Sequence, residues 1–101
     1  MASYTTIEDW QDVEDGYVVD VTIRQTGDET YPSGWDYSLH FGEVGGETIL
    51  RYDNAHEQTS GHERHTRNGV ETIEFPGMLA LYDRFKREVE EMSPVSWNWP
   101  E

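Results

Sequence analysis

Apolar and polar residues alternate along most of the chain, which predicts β-strands. In WDYSLHFGE, residues 35–43, every second residue is apolar up to Phe41, so one face of the strand would be buried and the other exposed. Similar alternation marks residues 16–25 and 47–53. Residues 62–67 and 70–75 flank an Asn-Gly dipeptide, which is typical of tight hairpin turns. The pattern therefore predicts about five strands.

The pattern changes near the C-terminus. Between residues 78 and 92, apolar side chains recur at intervals of three and four, the spacing of one helix face. An antiparallel sheet covered on one face by this helix satisfies both patterns and predicts an α+β fold. Residues 16–92 would form this single domain. An acidic lead-in over 1–15 would precede it, and an irregular tail over 93–101, with two tryptophans and two prolines, would follow.

The Asn-Gly turn also predicts which side chains share a face. If the dipeptide forms a two-residue turn, His65 pairs with Thr72 on the face away from the helix. Arg51 and Asp53 lie on that same open face by the alternation of their own strand, whereas His62 falls on the helix side. His65, Arg51 and Asp53 are therefore predicted to meet.

The chain is strongly acidic. It carries 21 Asp and Glu against seven Lys and Arg, a formal net charge of -14. Its aromatic content of 13%, arranged in strand-like alternation, excludes disorder over most of its length. We interpret the charge as adaptation to very high intracellular salt, because the Debye length shrinks to roughly 3 Å at 1 M salt and screens self-repulsion. In dilute solution the same charge would argue against nucleic-acid partners.

Other sequence features indicate the compartment in which the protein works. The chain has no cysteine, which excludes disulfides and thiolate sites. No apolar run approaches the roughly 20 residues of a membrane-spanning helix, and the N-terminal residues lack the pattern of a signal peptide. These features predict a cytoplasmic protein without membrane contact.

Residues 51–71 hold three of the four histidines, together with arginines and carboxylates. A metal site is disfavoured, because His62 and His65 would point to opposite faces of a strand; no metal or other cofactor is predicted. Imidazoles beside arginine and carboxylate do suit metal-independent RNA cleavage, which needs a base, an acid and a phosphate-binding cation. From the residues alone, a solvated sheet face and loop explain the stretch equally well.

The order of these motifs resembles the TumE-like proteins, toxin components of toxin–antitoxin pairs. The matching pieces, which span roughly residues 16–92, are Tyr52-Asp53-Asn54, His56, His62-Glu63-Arg64-His65, Glu71, Phe75, and Asp83-Arg84-Phe85 running to Val89. The resemblance implies a small toxin neutralised by a cognate antitoxin, usually a helix-turn-helix protein.

The combined prediction is a toxin whose side chains suit RNA cleavage. His65 would act as the base, His62 as the acid, and Asp53 as the carboxylate that orients an imidazole. Arg51 and Arg64 would bind phosphate. The substrate-binding positions would be Asn54, His56 and Glu71, carried over by the resemblance, and His40, placed on the open face by alternation. The alternative is a non-enzymatic protein-binding module of a halophile. A direct RNA contact and a homodimer stay open.

Overall fold

A computed structural model describes residues 2–100 and shows a six-stranded antiparallel sheet with one long helix against one face. The strands follow one another in chain order: β1 Tyr4–Glu14, β2 Tyr17–Thr26, β3 Trp35–Glu43, β4 Thr48–Asp53, β5 His62–Thr66 and β6 Gly69–Ile73. The helices are α1 Glu57–Ser60 and α2 Met78–Met92. This architecture confirms the predicted α+β class and the C-terminal helix.

Strand β1 is the element that the alternation pattern did not reveal. The segment expected to be a lead-in instead pairs along β2, so the sheet has six strands rather than about five. The pairing shifts register between Thr6 and Glu8, and most β1 side chains are exposed, so no clean alternation marks the strand. Trp10 nevertheless packs against the core. Met1 and Glu101, the outer ends of the predicted lead-in and tail, lie outside the described residues.

The β5–β6 hairpin turns one residue earlier than predicted. Thr66 pairs with Gly69, and the Thr66 hydroxyl accepts a hydrogen bond from the Asn68 amide at 3.2 Å inside the turn. His65 consequently pairs with Val70, two positions earlier than predicted. Because side chains alternate with a period of two, a shift of two residues leaves every side chain on its original face. The predicted face assignments therefore survive the wrong register.

The hydrophobic core lies between the sheet and α2. Its fully or nearly fully buried members are Val19, Val21, Ile23, Tyr37, Leu39, Phe41, Leu50 and Tyr52 from the strands, and Met78, Leu81, Tyr82, Phe85 and Val89 from α2. The C-terminal tail adds Trp97, whose ring meets Phe41 edge to face at 6.2 Å between centroids. Burial on the helix side leaves the opposite face of the sheet open to solvent.

The described helices include none that is both long and apolar enough to cross a bilayer.

Candidate functional site

Four of the predicted site residues meet on the open face of the sheet. His40, Arg51 and His65 are cross-strand partners in β3, β4 and β5, so they form one row. Asp53 lies two residues after Arg51 in β4 and therefore on the same face. We call His40, Arg51, Asp53 and His65 the open-face cluster.

The carboxylate of Asp53 joins two of the other members. Its Oδ2 lies 3.0 Å from His65 Nε2 and 3.3 Å from Arg51 Nε. The Asp53 side chain is only 7% exposed, and the Ala55 amide donates to its Oδ1 at 3.2 Å, which fixes the carboxylate. His65 Nε2 is shielded from solvent but is not aligned for a hydrogen bond. The His65–Asp53 contact is therefore an ion pair that forms when the imidazole is protonated.

His40 lies on the far side of Arg51. Its Nε2 is 3.0 Å from Thr48 Oγ1. Burial, followed by the positive charge of Arg51, lowers the pKa of His40 and favours the neutral imidazole. The ring has room because residue 42 is glycine: a Cβ there would come within 3.2 Å of His40 Nε2 and 2.6 Å of the Glu47 carbonyl oxygen.

His62 has different surroundings, on the helix side of the sheet. It is 8% exposed, and its ring stacks on Phe75 with 4.3 Å between centroids. Its Nδ1 is 2.8 Å from the Tyr37 hydroxyl, and its Nε2 is 3.6 Å from Glu57. Burial lowers the pKa of His62. The structure thus does not bring the predicted acid His62 to the predicted base His65.

Arg64 also points to the helix side. Its Nη2 donates to Glu88 at 2.6 Å and its Nε to the Tyr52 hydroxyl at 3.1 Å, while Tyr52 itself donates to Glu88. Burial and the bond to Glu88 raise the pKa of Tyr52 to about 12. Glu71 lies 3.6 Å from Arg64 Nη1. Arg64 and Glu71 therefore belong to a network that ties α2 to the sheet, away from the open-face cluster.

Asn54 is buried and connects β3 to the start of α1 through its side-chain hydrogen bonds. Its Oδ1 accepts from the Tyr37 amide at 3.0 Å, and its Nδ2 donates to the Trp35 carbonyl at 2.6 Å and to Glu57 at 2.7 Å. Asn54 has no exposed surface, so it positions the loop and does not face solvent. His56, by contrast, is exposed at the start of α1 and lies outside the open-face cluster.

Glu63 is a neighbour of the open-face cluster to which the sequence pattern gave no site role. Its carboxylate lies 3.8 Å from His65 Nε2, and its place two residues before His65 in β5 was the signal for it. Ligand atoms of Asp53, Glu63 and His65 lie within 4.8 Å of one another, which raises the question of a metal ion. Arg51 already places a positive charge against Asp53, which disfavours a second cation. The arrangement suits proton transfer better than metal binding.

The family relationship follows from a comparison with protein-family models. Residues 3–93 match the model of the family described as toxin TumE. The chain belongs to this family. The match covers all six strands and α2, so it extends over β1, which the sequence resemblance did not include. No curated protein and no solved structure shows a significant match to the chain.

Membership of the TumE family confirms the predicted toxin component and implies an antitoxin as its partner. The open-face cluster is the part of the molecule that bears on what the toxin acts on.

Proposed function

We propose that this TumE-family toxin acts on RNA and that the open-face cluster is its active site. The observation that carries the proposal is the contact of one buried carboxylate, Asp53, with both His65 and Arg51. A held imidazole can move a proton, and an arginine beside it can stabilise the negative charge that develops on a phosphate. With a second proton-transfer group, these are the parts that metal-independent cleavage of a phosphodiester requires.

Arg51 is well placed to meet a substrate. Its Nε lies 3.3 Å from Asp53, and its side chain is 44% exposed. The two terminal nitrogens of the guanidinium can therefore bind phosphate oxygens in the planar geometry that arginine prefers. The proposal places phosphate on Arg51 rather than on Arg64, whose guanidinium is engaged by Glu88.

The acidic surface bears on the conditions under which RNA can bind. Asp20, Asp53 and Glu63 lie in or beside the cluster, and the formal net charge of -14 would repel RNA in dilute buffer. We propose that the protein works in molar salt, where charges are screened beyond roughly 3 Å. Counterion release then gives little affinity, so short-range hydrogen bonds would supply the binding.

The cellular setting completes the proposal. The cognate antitoxin would be a helix-turn-helix protein, and the pair would act in the cytoplasm, where the RNA substrate is found. The family match supports the existence of the antitoxin; its fold belongs to the proposal.

Expression of the toxin with and without its antitoxin tests the proposal. We expect growth arrest and RNA fragmentation with the toxin alone, relief by the antitoxin, and loss of both effects in His65→Ala. His56→Ala is the matched control, because His56 is exposed and outside the cluster. Intact RNA after incubation with purified wild-type protein in molar KCl, or full toxicity of His65→Ala, would contradict the proposal.

A groove beside α2 favours a second candidate function, that of a non-enzymatic protein-binding module. The groove has a volume of about 350 Å³ and is lined mainly by Ile7, Ile23, Trp35, Met78, Leu79 and Tyr82. Leu79 is 76% exposed there, which is typical of a surface that another protein covers. If toxicity arises by docking, Leu79→Glu would abolish growth arrest while His65→Ala retained it. Under the RNA proposal, toxin expressed alone should still arrest growth as Leu79→Glu and should fail to do so as His65→Ala.

A further inference from the structure

We propose that His40 and His65 form a two-histidine phosphate site with Arg51 between them. In this site His40 accepts the proton of an attacking ribose 2′-hydroxyl, and His65 gives a proton to the leaving 5′-oxygen. The inference rests on the proposed action on RNA. It supplies the second proton-transfer group that His62, on the helix side, cannot provide.

The strand register places the three side chains for this task. Arg51 is the direct cross-strand partner of both His40 and His65. Two strand spacings separate the two histidines, so their Cα atoms are about 10 Å apart with Arg51 midway. Each imidazole reaches a substrate atom at about 3 Å. The rings turn to opposite sides of Arg51 along β4, His40 toward Thr48 and His65 toward Asp53, so a phosphate bound to Arg51 would lie between them.

The hydrogen bonding of the rings leaves one nitrogen of each for the substrate. His40 Nε2 is taken by Thr48 Oγ1 at 3.0 Å, and when Nε2 donates this bond, Nδ1 carries the free lone pair of a base. His65 Nε2 faces Asp53, so Nδ1 is again the nitrogen that can meet a substrate. The contacts described for the two rings engage Nε2 of His40 and Nε2 of His65.

The charges facing His40 suit a base. Asp20 faces it from β2 and Arg51 from β4, with only the uncharged Thr48 bonded to its ring. Burial and Arg51 lower the pKa of His40, while Asp20 opposes them. A neutral imidazole at neutral pH is ready to accept a proton.

The charges facing His65 suit an acid. Asp53 lies 3.0 Å and Glu63 3.8 Å from Nε2, so two carboxylates face the ring to which the proposal assigns the acid role. From the neighbouring strands, Arg51 of β4 is the opposing charge, and the partner in β6 is the uncharged Val70. The base role expected for His65 from the sequence thus passes to His40.

The reaction balances with these groups alone. The 2′-oxygen forms a bond to phosphorus while the bond from phosphorus to the 5′-oxygen breaks, which leaves a 2′,3′-cyclic phosphate and a free 5′-hydroxyl. The proton lost by the 2′-hydroxyl goes to His40, and the proton gained by the 5′-oxygen comes from His65. Arg51 stabilises the added negative charge on the non-bridging oxygens.

A substrate with an easy leaving group separates the two roles. A ribonucleoside 3′-(4-nitrophenyl) phosphate keeps the 2′-hydroxyl, but its nitrophenolate departs without a proton. Loss of a general acid or base slows RNA cleavage by about 10²–10⁴-fold. We expect His65→Gln to show this loss on RNA and much less on the aryl ester, and His40→Gln to show it on both substrates. The pH profile of the aryl ester reaction should lose its acidic limb in His40→Gln.

The outcomes distinguish the two proposals. Folded His40→Gln protein, verified by its thermal unfolding, that cleaves RNA at the wild-type rate would overturn the two-histidine site but leave His65 as the active group. Equal loss on both substrates in His65→Gln would overturn its role as the acid. A wild-type protein that cleaves neither substrate would overturn the action on RNA itself. RNA fragments ending in a 3′-hydroxyl would contradict the attack by the 2′-hydroxyl.

Discussion

His62 and His65 are three residues apart in β5, yet their surroundings have almost nothing in common. His65 lies on the open face against the carboxylates of Asp53 and Glu63. His62 lies on the helix side, stacked on Phe75 and hydrogen-bonded to a tyrosine. Alternation along a strand divides a His-x-x-His motif between two environments. A motif of this spacing should be assigned to a site only after its secondary structure is known.

The arginines repeat the contrast. Arg51 contacts Asp53 through its Nε at 3.3 Å, and its side chain is 44% exposed. Arg64 is 18% exposed, and its guanidinium forms an ion pair with Glu88 and donates a hydrogen bond to the Tyr52 hydroxyl. We infer that the open face carries the chemistry and that the helix side holds the fold together.

Of the two arginines, Arg51 is expected to give the larger effect on cleavage when it is replaced. Arg51→Ala should slow RNA cleavage by about 10²–10³-fold, because a donor to the transition-state phosphate is lost. The free energy of unfolding should also fall, by about 1–3 kcal/mol, because the Asp53 carboxylate, which is only 7% exposed, loses its arginine partner. Cleavage rates in molar KCl and a urea unfolding curve measure the two quantities. Unchanged cleavage by Arg51→Ala would remove the arginine from the active site.

Replacing Arg64 should lower stability but leave cleavage intact. Arg64→Ala leaves the Glu88 carboxylate and the Tyr52 hydroxyl without their donor in a part-buried place, which should cost about 1–3 kcal/mol of stability. The cleavage rate of the folded protein should stay within a few-fold of wild type. Arg67→Ala is the matched control, because Arg67 is exposed and pairs only with surface carboxylates. A stable Arg64→Ala protein that has lost cleavage would place Arg64 in the active site.

The buried histidine His62 should make stability depend on pH. Its pKa is lowered by burial, so the unfolded chain takes up the proton first as the pH falls. The contribution of neutral His62 is complete above about pH 6.5, the pKa of an unperturbed imidazole, and declines below that pH. Unfolding midpoints from pH 7.5 to about 5 should therefore fall less steeply in His62→Gln than in wild type. Identical slopes would show that His62 does not contribute to the pH dependence of stability. His40→Gln is the comparison, because the pKa of His40 is also lowered.

Removing divalent metal should have the smallest effect. Arg51 already neutralises Asp53, so the Asp53–Glu63–His65 group should need no ion for activity. Dialysis against EDTA should leave the RNA cleavage rate unchanged. A loss of cleavage that zinc restores would instead identify these three residues as metal ligands.

The sequence predicted those parts of the fold where one face is buried. Strands β2, β3 and β4 alternate because their inner faces, such as Val21 and Leu39, lie under α2. Strand β1 was not predicted because it lies at the edge of the sheet, where little besides Trp10 is covered. An apolar–polar alternation appears in a strand only when one of its faces is buried. The hairpin register was wrong because Thr66, rather than the Asn-Gly pair alone, helps to set the turn.

For the candidate site, the alternation of side chains along the strands predicted which residues share a face and nothing more. The alternation placed His65, Arg51 and Asp53 on one face, and in the structure Asp53 contacts both His65 and Arg51. The burial of Asn54 depends on how the loop at 54–61 folds back onto β3 and the β2–β3 connection, and His62 is held by Tyr37 of β3. No local pattern encodes such a long-range contact, so these residues looked catalytic or substrate-binding in the sequence.

The most direct test compares His62→Gln with His65→Gln, purified side by side in molar KCl, by RNA cleavage rate and thermal unfolding. We predict that His65→Gln loses cleavage and unfolds at the wild-type temperature. His62→Gln should unfold at a lower temperature and cleave at close to the wild-type rate while folded. A His65→Gln protein that cleaves normally, or a stable His62→Gln protein that does not, would contradict the assignment of chemistry to the open face.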